Sequence, residues 1–241
     1  MNNKKKIIIL IVILAVISAG FLIYNHIAQA NDSGLVGYWK MDENSTGATI
    51  YDSSGNGNNG TWAHGTPNNH TTSGVVKRAL TFDGSNDYVS CGTKNMGDVD
   101  ITLAMWIKTS SADFMYVFDG WQVVSPKVQF TISVGTVNKA NMYSDTSKIR
   151  ISSTTSVNDG VWHYIVYQDT GSTMKIFVDG KEEASGNAGS VTYNNWNWNI
   201  GRDDVSYFSG SIDEVKIYNR ALSAAEVLQN YNASKREYIQ E

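Results

Sequence analysis

From about Ser33 onward, apolar residues come in short runs rather than in long helical stripes. Trp, Tyr, Val, Ile and Thr recur in these runs, which are split by clusters of Gly, Asn, Asp and Ser; this is the punctuation of β-strands and turns. Val128-Gln129-Phe130-Thr131-Ile132-Ser133-Val134 alternates strictly, which predicts a strand with one buried face. Ile101-Thr102-Leu103-Ala104-Met105-Trp106-Ile107 is apolar on nearly every position and predicts a central strand covered on both sides. Two Asp-Gly dipeptides, Asp119-Gly120 and Asp179-Gly180, sit between such runs. Asp-Gly favours positive φ at both centres of a two-residue loop, so each predicts a tight hairpin. Near the end, Ser223-Ala224-Ala225-Glu226 fits a capping box. It opens a helix of a turn or two, with Val227, Leu228 and Tyr231 on one face packing beside the sheets.

The first thirty residues show a different pattern. Lys4, Lys5 and Lys6 precede an uncharged apolar run from Ile7 to Tyr24. That length suffices for a membrane-spanning helix, and the lysines keep its N-terminus cytoplasmic. Ala28-Gln29-Ala30 also supplies a small-x-small cleavage site. Two readings are open: an uncleaved anchor, which makes the membrane a partner, or a signal peptide removed near Ala30. Both deliver the remainder outside the cytoplasm. The expected organisation is a targeting segment at 1–30, a linker at 31–34, one β-domain at 35–233 and a tail at 234–241.

Composition narrows the function. The chain has 241 residues, 41% of them hydrophobic, and a net charge of -4, enough for one β-domain with a full core. Beyond the N-terminus no basic run occurs, so nucleic acid is excluded as a partner, since phosphate neutralisation needs clustered Lys and Arg. The single cysteine, Cys91, rules out an intrachain disulfide and a Cys-based zinc site; it reads as a small buried hydrophobe.

Six segments carry a family resemblance. They are Gly37-Tyr38-Trp39-Lys40-Met41-Asp42-Glu43 with the turn Asp52–Asn58, Gly74–Val89, Thr102–Lys108, Gly160–Val166, Phe177–Lys181, and Asn199–Arg202 with Gly210–Ser223. In this order they resemble the concanavalin A-like lectin/glucanase superfamily, in its laminin G-like branch, from about Leu35 to Tyr231. The resemblance implies an all-β jelly-roll sandwich of two antiparallel sheets. Its first and last strands would lie side by side, which removes an exposed edge.

The resemblance also implies a structural Ca²⁺, which takes six to eight oxygens. Asp52 and Asp213 are the residues it indicates most directly; Asp42, Asn56 and Asn58 complete the candidate set. The other reading of these residues is structural, with Asp52 organising an Asx-turn and Asp213 binding a backbone amide. For a ligand, sugars stack on aromatic faces flanked by amides. Trp121 and the segment Tyr193-Asn194-Asn195-Trp196-Asn197-Trp198 supply that combination, so Trp121, Tyr193, Trp196 and Trp198 are the candidate platform; the alternative puts Trp196 and Trp198 at the edge of the core. Trp39, Trp106 and Trp162 read as core. Related glucanases place catalytic carboxylates on alternate strand positions, which lie on one face. This chain has no such run: Asp213-Glu214 are adjacent and predict opposite faces, and Glu182-Glu183 reads as solvated. The expectation is therefore a non-catalytic, extracytoplasmic binding module, carbohydrate-binding and calcium-dependent in the sense that Ca²⁺ would order its loops. A protein-interaction or adhesion domain with a cell-surface or envelope protein partner is the alternative, and a glycoside hydrolase the weaker one.

Overall fold

The computed structural model describes residues 32–97, 100–122, 129–134, 138–144, 149–187, 196–203 and 206–240. For residues 68, 121, 122, 129–134, 144, 149 and 236–240 it describes the backbone alone. The N-terminal apolar run and Tyr193 lie outside the described residues. The chain divides into Met1–Gly34 and Leu35–Glu241, and the second of these units is the β-domain. Among the described residues no helix is long and apolar enough to cross a membrane.

The strands, in chain order, are β1 (Leu35–Trp39), β2 (Thr49–Ile50), β3 (Gly60–Ala63), β4 (Thr71–Ser73), β5 (Arg78–Asp83), β6 (Tyr88–Lys94), β7 (Ile101–Lys108), β8 (Met115–Gln122), β9 (Gln129–Val134), β10 (Lys139–Ser144), β11 (Ile149–Ser156), β12 (Trp162–Asp169), β13 (Thr173–Val178), β14 (Lys181–Asn187), β15 (Trp196–Ile200) and β16 (Ser209–Tyr218). A helix, α1 (Ala224–Gln240), comes last. The first sheet runs β14-β13-β12-β7-β16-β5-β4, with β1 also on β16; the second runs β11-β10-β9-β8-β15-β6-β3-β2. Their inner faces enclose one core that includes Trp39, Trp62, Met105, Phe118, Trp196 and Trp198. The expected all-β sandwich is therefore present, and β1 pairs antiparallel with β16 as the resemblance implied.

β16 organises the first sheet. Along one flank it pairs with β7. Along the other it pairs with β5 through Ser209–Ile212 and with β1 through Val215–Tyr218. A β-bulge marks the changeover: the β16–β7 register shifts between Asp213 and Lys216, and Glu214 has φ +54°. The extra residue breaks the two-residue alternation. Ile212, Val215 and Ile217 all enter the core, so Asp213 and Glu214 both project from the outer face. The opposite-face expectation for this pair is thereby corrected.

β7 is buried at every position from Ile101 to Ile107, as its composition predicted. Its outer side is covered by α1: the Tyr231 ring stacks on Trp106 at 5.5 Å, and the Trp106 Nε1–H donates to Ser234 Oγ at 3.0 Å. The capping box forms, with Glu226 accepting the Ser223 amide at 2.7 Å and Ser223 Oγ accepting the Glu226 amide at 3.3 Å. The helix then runs through to Gln240, well beyond the turn or two expected and across the predicted tail, because Trp106 and Tyr164 continue the apolar seat for its second and third turns. Val227 is buried, and Leu228, though 45% exposed, meets the Gly180 turn together with Tyr231, so the expected face packs along the edge of the sheet.

The two Asp-Gly sites differ. Asp179 and Gly180 have φ +50° and +82°, a type I′ pair joining β13 to β14. Asp119-Gly120 is not a turn: β8 runs unbroken through it, and Gly120 pairs with both Trp198 and Phe130. Glycine is needed there for space, since a Cβ would lie 2.6 Å from the Trp196 ring. Gly120→Val therefore overpacks the core and should lower stability by about 1–3 kcal/mol in thermal or urea unfolding of the full chain; unchanged stability would remove this account of Gly120.

The Asp179 carboxylate accepts the Tyr164 amide at 2.9 Å and faces His163 Nδ1 at 2.9 Å; Asp159 faces Nε2 at 3.2 Å. The hydrogen bond to Asp179 outweighs burial and raises the His163 pKa above its usual 6.5. A raised pKa means the folded state holds the proton more tightly. The stabilisation is thus complete below the unfolded value and lost as pH rises through the folded one. Replacing His163 by Gln should cost more stability at pH 5.5 than at pH 8.5; equal costs at both would contradict the charged pairing.

Candidate functional site

The predicted metal ligands come first. Asp52 sits at the turn after β2, and its carboxylate is fully engaged. Oδ1 accepts the Tyr38 and Ser54 amides, both at 2.9 Å. Oδ2 accepts the Ser54 hydroxyl and the Asn58 amide, both at 2.8 Å. Burial works to raise its pKa, but the Ser54 hydroxyl and the three amides prevail and hold it below the usual carboxylate range. Asn56 and Asn58 donate their side-chain amides to the Leu35 and Val36 carbonyls of β1. The glycine-rich turn is a clasp on the first strand.

Asp42 accepts the Arg78 amide at 3.0 Å. Asp213, 0% exposed, accepts the Val75 and Val76 amides through Oδ2 at 2.7 and 3.1 Å. Its Oδ1 is buried without a hydrogen-bond partner. Burial, then the neighbouring Glu214, pushes its pKa up to about 8. Glu214, also raised, accepts the Tyr38 hydroxyl at 2.5 Å. Among the described residues no three acidic, His or Cys side chains converge as a metal site. With the four acceptor directions of Asp52 taken by protein donors, the candidate set does not fit a calcium cage.

The predicted aromatic platform also disperses. Trp196 and Trp198 are each 2% exposed; β15 aims both into the core, where Trp198 meets Trp39 and Phe118, each at 6.4 Å. They cannot stack a ligand, which corrects the expectation for this pair. The period-two alternation is real, but its aromatic face is the inner one. The backbone of Trp121 pairs with Asn197 and Gln129, while its side chain, like Tyr193, lies outside the described residues.

On the opposite face of β15, Asn197 and Asn199 point outward. Asn197 accepts the Thr93 hydroxyl at 2.5 Å, and Asn199 stands opposite Asp119 of β8. Burial, with the Asp203 and Asp119 carboxylates, raises the Tyr116 phenol on the same face. The outer face of the second sheet is thus polar and aromatic, with Asn199 and Asp119 buried, whereas that of the first carries α1.

This face ends at a cleft. The chain crosses between the sheets in the segments β5–β6, β7–β8 and β15–β16, and antiparallel order brings all three to one end of the sandwich. They enclose about 360 Å³ lined by Ser85, Asp113, Phe114, Ser206 and Tyr207 among others. Two walls are held by short carboxylate turns: Asp83 accepts the Ser85 and Asn86 amides at 2.8 and 3.1 Å, and Asp203 accepts the Ser206 amide at 2.7 Å. The third is held by hydroxyls, with the Ser111 amide donating to Thr109 Oγ1 and the Asp113 amide to Ser111 Oγ, both at 3.1 Å. Phe114 packs edge-on against Tyr116 at 5.1 Å with Arg150 over its ring at 5.6 Å. Tyr207 lies 6.4 Å from Tyr88. Two half-buried aromatic rings, hydroxyls and a carboxylate therefore share one open cleft. Sequence reasoning missed it because its residues come from three loops far apart in the chain; the Asp83-to-Ser85 and Asp203-to-Ser206 turn spacings were the one local signal.

Residues 83–228, more than half of the chain, match the model of the Concanavalin A-like lectin/glucanases superfamily, laminin G type. The chain belongs to this superfamily. No curated protein sequence matches it. Among solved structures it is similar to domain 4 of AbnA, a GH43 extracellular arabinanase from Geobacillus stearothermophilus, in complex with arabinotriose. That likeness has 19% identity and a TM-score of 0.67, and covers 82% of this chain and 98% of that one. It is also similar to the ligand binding domain of botulinum neurotoxin serotype D in complex with N-acetylneuraminic acid (14% identity, TM-score 0.61, 84% of this chain and 51% of that one). A third is Trypanosoma rangeli sialidase in complex with sialic acid (14%, TM-score 0.65, 85% and 33%). At these identities the likeness is one of fold, and the neighbours include both binding domains and enzymes.

If the chain's own donors satisfy Asp52, Asp52→Ala should lower unfolding stability by about 2–4 kcal/mol, and a chelator should leave the melting temperature of the unmutated protein unchanged. A ligand that binds only the folded state must stabilise it, so a chelator-induced drop would establish a bound cation instead.

Proposed function

We propose that this domain is a non-catalytic carbohydrate-binding module, displayed outside the cytoplasm by the apolar N-terminal segment. One observation carries the reading: the cleft combines the Phe114 and Tyr207 rings with the hydroxyls of Ser85 and Ser206 on loops pinned by carboxylate and hydroxyl turns. Aromatic faces bury the C–H patches of a sugar ring, and neighbouring polar groups read its hydroxyls. The loops are held before any ligand arrives, so binding orders few side chains. The arabinotriose and N-acetylneuraminic acid named with two of the similar structures support a glycan as the ligand class. The non-catalytic part rests on the carboxylates: Asp213 and Glu214 are buried on the other sheet, Asp83 and Asp203 are committed to their own loops, and Asp113 lines the cleft without the second carboxylate that a glycosidase pair needs among the described lining residues.

The test is a glycan array with the full chain in detergent, followed by calorimetry on any hit. Tyr207→Ala and Phe114→Ala should each weaken binding about tenfold or more while shifting the melting temperature little; Trp198→Ala should mainly unfold the protein. Wild-type affinity in both cleft variants would refute the site, and release of reducing ends from a bound polysaccharide would refute the non-catalytic reading.

A further inference from the structure

Arg202 does not line this cleft but adjoins it through the cleft residue Tyr207. Its backbone pairs with Tyr207 in an isolated antiparallel bridge, and directly opposed residues project to the same face. Its guanidinium lies over Tyr88, 3.9 Å from the ring centroid, and Tyr88 in turn neighbours the cleft residue Tyr207. The Arg202 Nε is buried and has no hydrogen-bond partner.

The surrounding carboxylates are engaged elsewhere. Asp87 faces His70 Nδ1 at 3.1 Å and accepts the Asp83 amide at 3.1 Å. Asp83 and Asp203 hold the loop amides described above. Among the described residues none of them forms an ion pair with Arg202. A guanidinium has five N–H donors in a rigid fork, and leaving buried donors unsatisfied is costly. Stacking on Tyr88 fixes the plane of the group without using those donors. What remains is a preorientated fork beside a sugar-sized cleft. Asp113, on the wall formed by the β7–β8 loop, supplies the opposite charge, so an anionic end would be directed toward Arg202 and a neutral end toward Asp113.

We infer that the cleft takes a carboxylate-bearing sugar, with Arg202 as the residue that reads the carboxylate through a bidentate pair. This rests on the carbohydrate-binding reading and adds the charge class of the ligand. Charge-assisted bidentate bonds are about twice as strong as neutral ones, so the preference should be roughly tenfold or more, and it should shrink with added salt.

The experiment measures calorimetric affinity of the full chain in detergent for two matched pairs. One is trigalacturonic acid against its carboxyl-reduced trisaccharide; the other is 3′-sialyllactose against lactose, so that the pairs separate uronic from sialic acids. At least one acidic member should bind about tenfold or more tightly than its neutral counterpart. That ratio should fall to near one in Arg202→Gln and to an intermediate value in Arg202→Lys, with the melting temperature of both variants close to wild type. Equal or better binding of the neutral members overturns the inference and leaves the carbohydrate reading standing, as does an acid preference that survives Arg202→Gln. If none of the four binds, the inference fails, and the carbohydrate reading is then judged separately by the array and the Tyr207 and Phe114 variants.

Discussion

The antiparallel pairing of β16 with three strands is the constraint on which the rest of the domain depends. Ten residues near the end of the chain join β7 on one side and, on the other, β5 and then β1. The blocks β7-β12-β13-β14 and β4-β5 pair without it, but only β16 joins them to each other and to β1. The bulge at Asp213 and Glu214 lets one strand serve two partners in succession. Asp213 then fills the junction by accepting the Val75 and Val76 amides of the loop that precedes β5. Burying that carboxyl with one oxygen unpartnered is unfavourable for its charged form, which is why its pKa is displaced upward.

The same closure separates a structural sheet from an open end of the sandwich. The first sheet is buried on both faces, by the core inside and by α1 and its aromatic contacts outside. A second tie joins the far edges of the two sheets. Glu183 on β14 accepts the Thr154 and Thr155 amides of β11, both at 2.9 Å, and the Thr155 hydroxyl at 2.5 Å, so it is not simply solvated as its position after a hairpin suggested. What stays open is the cleft at the end where β5–β6, β7–β8 and β15–β16 cross between the sheets, whereas Asp119, Asn141 and Asn199 on the outer face of the second sheet are buried. Loops there are anchored at both ends by strands, which allows polar and aromatic side chains to be presented without weakening the core.

The strand content, the covered β7, the Asp179-Gly180 hairpin and the capping box were legible from local pattern, because each depends on a few consecutive residues and their backbone preferences; the family was legible through the resemblance of six segments in order. The errors share one cause. Asp119-Gly120 carries the same turn chemistry as Asp179-Gly180, yet it lies in the middle of a strand, because the Trp196 ring across the core needs the space a side chain would fill. Trp196 and Trp198 alternate with amides as a sugar platform would, but alternation does not say which face meets the core. Asp213 and Glu214 obey strict alternation until a bulge, invisible in the sequence, turns both outward.

Residue order alone thus specified a β-domain and an apolar N-terminal segment, since turn chemistry, periodicity and apolar content act over short stretches and survive without knowledge of neighbours, while the two-layered arrangement was what the family resemblance implied. Folding in three dimensions chose which tryptophans are buried, which carboxylates are spent on backbone amides, and which three distant loops meet around Phe114, Tyr207 and Arg202. Those outcomes arise from packing and from hydrogen-bond satisfaction between segments up to more than a hundred residues apart, such as Val75 with Asp213, and no local pattern encodes them.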